Sequence, residues 1–267
     1  MKILSFRRSI LIIIILAAFS GLFYSSEDEL TGLEDRYSFA IRYLGLKIAD
    51  VQLIDIRNQE ESRIEVKAKS VSIGNILFKI NNKYIIIYKE DYIPQEYYKS
   101  IKQKGFNQEK TTLWFPSEKK MEIRIDINPI KNFHYEEDRF HDFFSALLYI
   151  RAHVVPKESE EIFVYANNNI WIAQIKNLGQ DIVARKEAIK YSIDFRQKSN
   201  NKKQRSDVLT NNLVKEDSTL YLWFTDDDKR LPIQAEYDSS PFSVFWTLES
   251  YDISPVIGSQ TWLDIND

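Results

Sequence analysis

The chain has 267 residues, 44% of them hydrophobic and 28% charged, with a formal net charge of −3 at pH 7. That balance is ordinary for a globular protein and excludes collagen-like and disordered classes. The absence of cysteine removes thiol nucleophiles, disulfides, Cys-ligated zinc, iron–sulfur clusters and a lipidated cysteine. The 7 glycines, Gly21, Gly32, Gly45, Gly74, Gly105, Gly179 and Gly258, never cluster into a phosphate loop or a G-x-G-x-x-G turn, and no G-x-S-x-G elbow occurs.

Lys2, Arg7 and Arg8 precede an apolar run from Ile10 to Phe19 that continues weakly to Tyr24, and Glu27-Asp28-Glu29 ends it. The run is shorter than the roughly 20 residues that span a bilayer, and Ala18-Phe19-Ser20 places small residues where a signal peptidase reads. Residues 1–20 are therefore expected to be a signal peptide that sends the protein to the periplasm or cell envelope. A membrane anchor over residues 10–24 is the alternative, and residues 21–35 read as a linker. Loss of the three N-terminal cations makes the remainder more acidic, which argues against nucleic acid and against charge-driven attraction to anionic lipid. Membrane contact is expected only through an uncleaved N-terminal segment.

From Tyr37 onward the dominant period is two, the mark of half-buried strands. Strands are predicted at Tyr37 to Tyr43, Ile48 to Ile54, Ile64 to Ala68, Tyr84 to Tyr88, Tyr97 to Ile101 and Thr111 to Phe115. Met121 to Ile127 alternates apolar and charged residues throughout. Further strands are predicted at Ile162 to Tyr165, Ile170 to Ile175, Ile182 to Ala184, Ile189 to Phe195, Leu220 to Phe224, Leu231 to Tyr237 and Phe242 to Leu248. Ser72 to Ile80 fits either a short helical turn or a bent strand. Arg139 to His153 reads as a helix, because Phe140, Phe143, Phe144, Leu147, Leu148 and Arg151 fall at i, i+3, i+4, i+7, i+8 and i+11. Arg196 to Asp217 is polar and reads as a long mobile hairpin loop, with Lys198, Lys202, Lys203 and Arg205 as a possible docking patch for phosphate or anionic lipid.

Closely spaced strands without intervening helices favour antiparallel connections. The expectation is a mainly β fold over residues 36–267: a large antiparallel curved sheet or barrel of about 12 strands with one buried or plugging helix at about 139–153.

Several constellations bear on chemistry. His134, Glu137 and His141 would share a face if the helix began early, and such ligands suit zinc, iron or manganese. The acidic residues before the helix are equally explained by its positive N-terminal end. Asp142, Ser145 and Tyr149 form a polar line beside the apolar stripe, and Arg151 ends the stripe. Together they are a candidate ligand site, with Arg151 gripping a carboxylate or phosphate, or else Arg151 pairs with an acidic strand residue and pins the helix. Asp226-Asp227-Asp228 lacks the spacing of a calcium loop and reads as a tight turn. Tyr97, Tyr98, Trp114, Trp171 and Trp223 sit at strand spacing, as core or as the lining of an apolar cavity. No cofactor is called for.

With those residues in place, the sequence resembles a bacterial envelope family known as domain of unknown function 3108. The likeness rests on Tyr37 to Leu46, on Asp142 to Arg151 with its D-x-x-S-x-x-Y-x-x-R pattern, on Trp223, Asp226, Asp227, Arg230 and Pro232 of the W-x-x-D-D…R-L-P hairpin, and on the closing strand Phe242 to Leu248. The family's helix tyrosine stands one position earlier, where this chain has Leu148, and Ala49-Asp50 replaces a glycine-containing step. The resemblance implies a secreted, barrel-like envelope domain and supplies no reaction. The expected function is non-enzymatic binding of an apolar or amphipathic molecule, such as a lipid or acyl chain, inside the sheet. An assembly scaffold for envelope proteins is the alternative, and a metal-dependent hydrolase centred on His134, Glu137 and His141 is a third reading. An open apolar interior would favour the carrier and a filled one the scaffold.

Overall fold

The computed structural model describes residues 30–59, 61–71, 73–77, 79–153, 159–199, 201, 207–239 and 242–257. The expected signal peptide at residues 1–20 and the alternative anchor at 10–24 lie outside them. Among the described residues no helix is long and apolar enough to cross a membrane. The chain divides into two compact units, one of residues 33–254 and one formed by residues 1–32 and 255–267. Of the second, residues 30–32 and 255–257 are described, and they are strand residues.

Fifteen strands form one sheet. They are β1 (Leu30–Tyr43), β2 (Leu46–Asn58), β3 (Ser62–Ser70), β4 (Asn81–Lys89), β5 (Ile93–Gln103), β6 (Phe106–Phe115), β7 (Lys120–Ile125), β8 (Lys131–His134), β9 (His141–Asp142), β10 (Glu160–Ala166), β11 (Asn169–Val183), β12 (Lys186–Gln197), β13 (Thr219–Thr225), β14 (Pro232–Ser239) and β15 (Phe242–Ile257). Their order is β8-β7-β6-β5-β4-β3-β2-β1-β15-β14-β13-β12-β11-β10-β9. Two meanders therefore meet where β1 lies beside β15. The mainly β expectation holds, but the sheet is open, with β8 and β9 at its edges, and has fifteen strands where about 12 were expected. Two added strands, β8 and β9, are only 4 and 2 residues long, too short to show a period. Conversely, the stretches predicted at 170–175 and 182–184 are one strand, β11, continued through a register shift between Asn177 and Gly179.

The alternation places the core. Met121, Ile123 and Ile125 are buried on β7, as are Tyr191, Ile193 and Phe195 on β12, while their charged neighbours face outward. The sheet curls so that side chains far apart in strand order meet: Trp114 of β6 packs edge-on to Tyr165 of β10, ring centroids 5.9 Å apart. Full burial of such rings contributes roughly 1.5–3 kcal/mol each.

Among the described residues three short helices complete the unit: α1 (Ile73–Leu77), α2 (Phe143–His153) and α3 (Val208–Leu213). The ambiguous stretch 72–80 thus contains a helical turn. It requires glycine at position 74, where a Cβ would lie 1.9 Å from the Ile48 carbonyl oxygen. Helix α2 lies among the aromatic side chains of the core, with Phe144 against Tyr84 at 5.0 Å between centroids. It begins at Phe143 and not at residue 139, because His141 and Asp142 are extended and pair in parallel with β10. Phe140 continues the stripe in sequence but is not helical.

Two segment assignments also change. The expected linker 21–35 ends in strand, since β1 starts at Leu30 and Asp35 is fully buried. The expected loop 196–217 starts inside β12 and includes α3, whose Leu209 and Leu213 are buried; residues 202–206 are outside the description. Asp207 caps α3 by accepting from the Leu209 amide at 3.0 Å and the Thr210 hydroxyl at 2.9 Å. It also accepts from Tyr84 at 2.8 Å, Asn82 at 3.2 Å and Gln103 at 3.3 Å, which ties the helix to β4 and β5.

Candidate functional site

Two apolar cavities flank α2, of about 10 Å³ and about 30 Å³, and Phe143 and Leu147 line both. Such volumes hold a water molecule or two and no acyl chain. None of Tyr97, Tyr98, Trp114, Trp171 or Trp223 lines them. Tyr97, Trp114 and Trp171 are core residues. Trp223 packs on the opposite face with Ala188 and Ile233 and donates Nε1 to Asp181 at 2.8 Å.

The open space lies elsewhere. A groove of about 1110 Å³ runs between the β2–β3 turn, the β4–β5 turn, Pro116 and Ser117 after β6, and Asp138. Arg57, Tyr88, Tyr92 and Ile93 are among its walls. The same alternation that builds the core builds its floor. On β2 the inward series Val51, Leu53 continues into Asp55 and Arg57, and on β1 the series Phe39, Tyr37 runs back to Asp35.

These charges form one network. Asp35 accepts from Tyr251 at 2.6 Å, from Arg151 at 3.4 Å and from Arg57 Nη2. Asp55, also fully buried, accepts from Tyr88 at 2.6 Å. Its second oxygen, Oδ2, lies 3.5 Å from Arg57 Nε, an ion pair in which neither atom makes a hydrogen bond. Burial raises the Asp55 pKa to about 6, against the opposing effects of the Tyr88 hydrogen bond and Arg57. Arg57 is half-exposed and opens from this buried network into the groove.

The groove lip is strained. Asp91 and Tyr92 in the 3-10 turn Glu90–Tyr92 both have φ of 57°, a left-handed conformation unusual for an aromatic residue and often associated with functional sites. The turn is held by α2 and the segment before it: Arg139 and His153 reach Asp91 at 3.4 Å and 3.6 Å, and His141 Nδ1 donates to the Tyr92 carbonyl at 3.1 Å.

The residues singled out from sequence do not converge. Asp142 caps α2, accepting from the Phe144 amide at 2.8 Å, and the Ser145 hydroxyl donates to the Asp142 carbonyl at 3.2 Å. Burial raises the Asp142 pKa to about 6, against its local hydrogen bonds. Tyr149 donates to Glu160 at 3.0 Å. Arg151 alone of the four joins the ionic floor, donating to Asp35, to the Tyr37 hydroxyl and to the Lys229 carbonyl at 3.1 Å. The proposed metal residues separate as well: His134 is exposed on β8, Glu137 pairs with Lys198, and buried His141 holds the Tyr92 carbonyl. Among the described residues no group of three such side chains is placed to hold a metal.

The hairpin motif is a turn device. Asp227 Oδ1 accepts from Thr225 at 2.7 Å, the Lys229 amide at 3.1 Å and the Arg230 amide at 3.0 Å. Asp226 accepts from Gln180 at 3.0 Å, Arg230 donates to Tyr191 at 3.2 Å, and Pro232 borders the larger apolar cavity.

No curated protein matches the sequence. Among solved structures, the chain is similar to a β-barrel-like protein of domain of unknown function DUF1849 from Brucella abortus, at TM-score 0.52 and 7% identity over 84% of this chain and 98% of that one. That likeness shows the fold. Looser matches are the Mycobacterium tuberculosis lipoprotein LppX, at TM-score 0.27 and 10% identity over 84% and 87% of the two chains, and a DUF1329 family protein from Desulfovibrio piger, at 0.23 and 8% over 86% of each. The sequence itself matches the family described as Protein of unknown function (DUF3108) across residues 38–241, and the chain belongs to that family.

Proposed function

We propose that this is an exported envelope protein, without catalytic activity, that binds an amphipathic ligand in the groove above Arg57. The observation that carries the reading is the floor of that groove, where the half-exposed guanidinium of Arg57 stands beside Tyr88, Tyr92 and Ile93. A ligand's hydrogen-bond acceptor is received by Arg57 and its apolar part by the aromatic wall. The sequence-based expectation put the ligand inside the sheet. The small size of the two cavities beside α2 favours the groove. Export rests on the charged, apolar and polar order of the first 29 residues.

Protein purified from the envelope, extracted and analysed by native mass spectrometry, should carry a bound amphiphile. Arg57→Gln should weaken that binding by roughly 10-fold or more, the equivalent of one charged hydrogen bond. Protein that is ligand-free from its own envelope, or equal binding by the variant, overturns the reading. For the scaffold alternative, crosslinking in cells should return one defined partner.

A further inference from the structure

At the other end of the strands, away from the groove, two lysines occupy core positions. Lys99 on β5 and Lys110 on β6 are direct partners in the antiparallel register, and Tyr84 of β4 flanks Lys99 in the same row. Both point inward, 6% and 4% exposed. Like charges directly opposite on one sheet face repel, and buried ammonium groups are normally paired with carboxylates. Among the described residues neither lysine has a carboxylate within ion-pair distance. Lys110 donates only to neutral acceptors, the Tyr165 hydroxyl at 2.9 Å and the Asn168 side-chain oxygen. Lys99 has no hydrogen-bond partner among the described residues. Asp207 is the acid whose charge it feels, and five donors already take that carboxylate.

We propose that Lys99 and Lys110 form the binding site for an oxyanion, a sulfate or phosphate group that is either a free ion or part of a ligand. Two buried amines from facing positions, one with no acceptor among the described residues, are an arrangement that one tetrahedral anion completes. Asn168 lies in the half-buried turn between β10 and β11, so Lys110 already reaches toward the surface at this end. Burial lowers the pKa of both amines, and each Lys110 charge is further opposed by Lys99. Anion binding must then draw protons onto the amines, and it strengthens as pH falls. Among the described residues the titratable groups at the pair are Asp207, Tyr84 and Tyr165. This site stands independently of the groove.

The test uses sulfate, whose charge is constant across neutral pH, with chloride at equal ionic strength as the reference. Sulfate should raise the melting temperature of the full-length protein saturably, and more at pH 6 than at pH 9. Lys99→Met should weaken sulfate binding roughly 10-fold or more, and Lys99→Met/Lys110→Met should abolish it. Removal of buried amines that have no carboxylate partner should leave the sulfate-free variants about as stable as the parent, and their melting temperatures without sulfate separate a lost response from unfolding. A short-chain phosphatidic acid that binds more tightly than sulfate, in a Lys99-dependent way, identifies the anion as a ligand head group; sulfate or phosphate binding alone identifies a free ion. No sulfate effect beyond chloride, or an equal effect in the double variant, overturns the proposal.

Discussion

Arg151, in the last turn of α2, donates Nη1 to Asp35 of β1 at 3.4 Å across 116 residues of sequence. Because Arg57 and Tyr251 also donate to Asp35, this one carboxylate joins the helix to β1, β2 and β15. Asp35→Ala leaves two guanidinium groups facing each other over a cavity. It should cost about 3–5 kcal/mol in urea unfolding, whereas Arg151→Lys, which keeps the charge and loses the fork, should cost about 1–2 kcal/mol.

Gly74 and Gly45 separate two reasons for glycine. A Cβ at Gly74 meets the Ile48 carbonyl, while Gly45 has φ +77° and nothing within 4 Å of its Cβ position. Gly74→Ala should lower stability by roughly 2–4 kcal/mol through backbone displacement, and Gly45→Ala by about 1 kcal/mol through conformation alone. Thermal melts that rank the two variants equally would contradict this assignment.

Acid should act on neighbouring residues with opposite sign. Burial lowers the His141 pKa to about 4, so the folded protein keeps it neutral. The stability that follows is complete above pH 6.5 and is lost as pH falls toward 4. Asp142 and Asp55, raised to about 6, take up protons earlier in the folded state than in the unfolded one. Their contribution grows as pH falls from 6 to 4. Asp142→Asn keeps a capping side chain without the charge, and should raise stability by about 1–2 kcal/mol above pH 6 and by less near pH 4. His141→Asn should flatten the loss between pH 6.5 and 4, on the order of 3 kcal/mol in the parent. Unfolding free energies across that range check both slopes.

Asp227 organises the β13–β14 turn with three accepted hydrogen bonds. Asp227→Ala should cost about 1–2 kcal/mol, and amide exchange should quicken at Lys229 and Arg230 before it does in β12.

The strands were legible where alternation ran long enough to bury one face, as in Met121 to Ile125 and Ile189 to Phe195. Helix α2 was legible in its centre and misread at its start, because Phe140 fits the stripe while Asp142 is the capping residue. Helix α3 has six residues, too few to show a period inside a polar stretch. The ionic floor was missed for a different reason. Asp35, Asp55 and Arg57 have core parity but charged identity, and they lie just outside the strands predicted at Tyr37 to Tyr43 and Ile48 to Ile54. Lys99 and Lys110 share the parity of Tyr97 and Trp114 and carry the same signal. Continuing each alternation through its charged members would have found all five.

The seam between β1 and β15 governs how the chain folds. Each meander is built largely from consecutive hairpins whose contacts are local and form quickly, but among the strand pairings the two halves join only where β1 lies beside β15. That closure spans nearly the whole described chain, and its loop entropy must be met before the contacts reward it. During synthesis β1 therefore waits, one edge unpaired, until the last strand is made, and the rate of acquiring native structure is set at this seam.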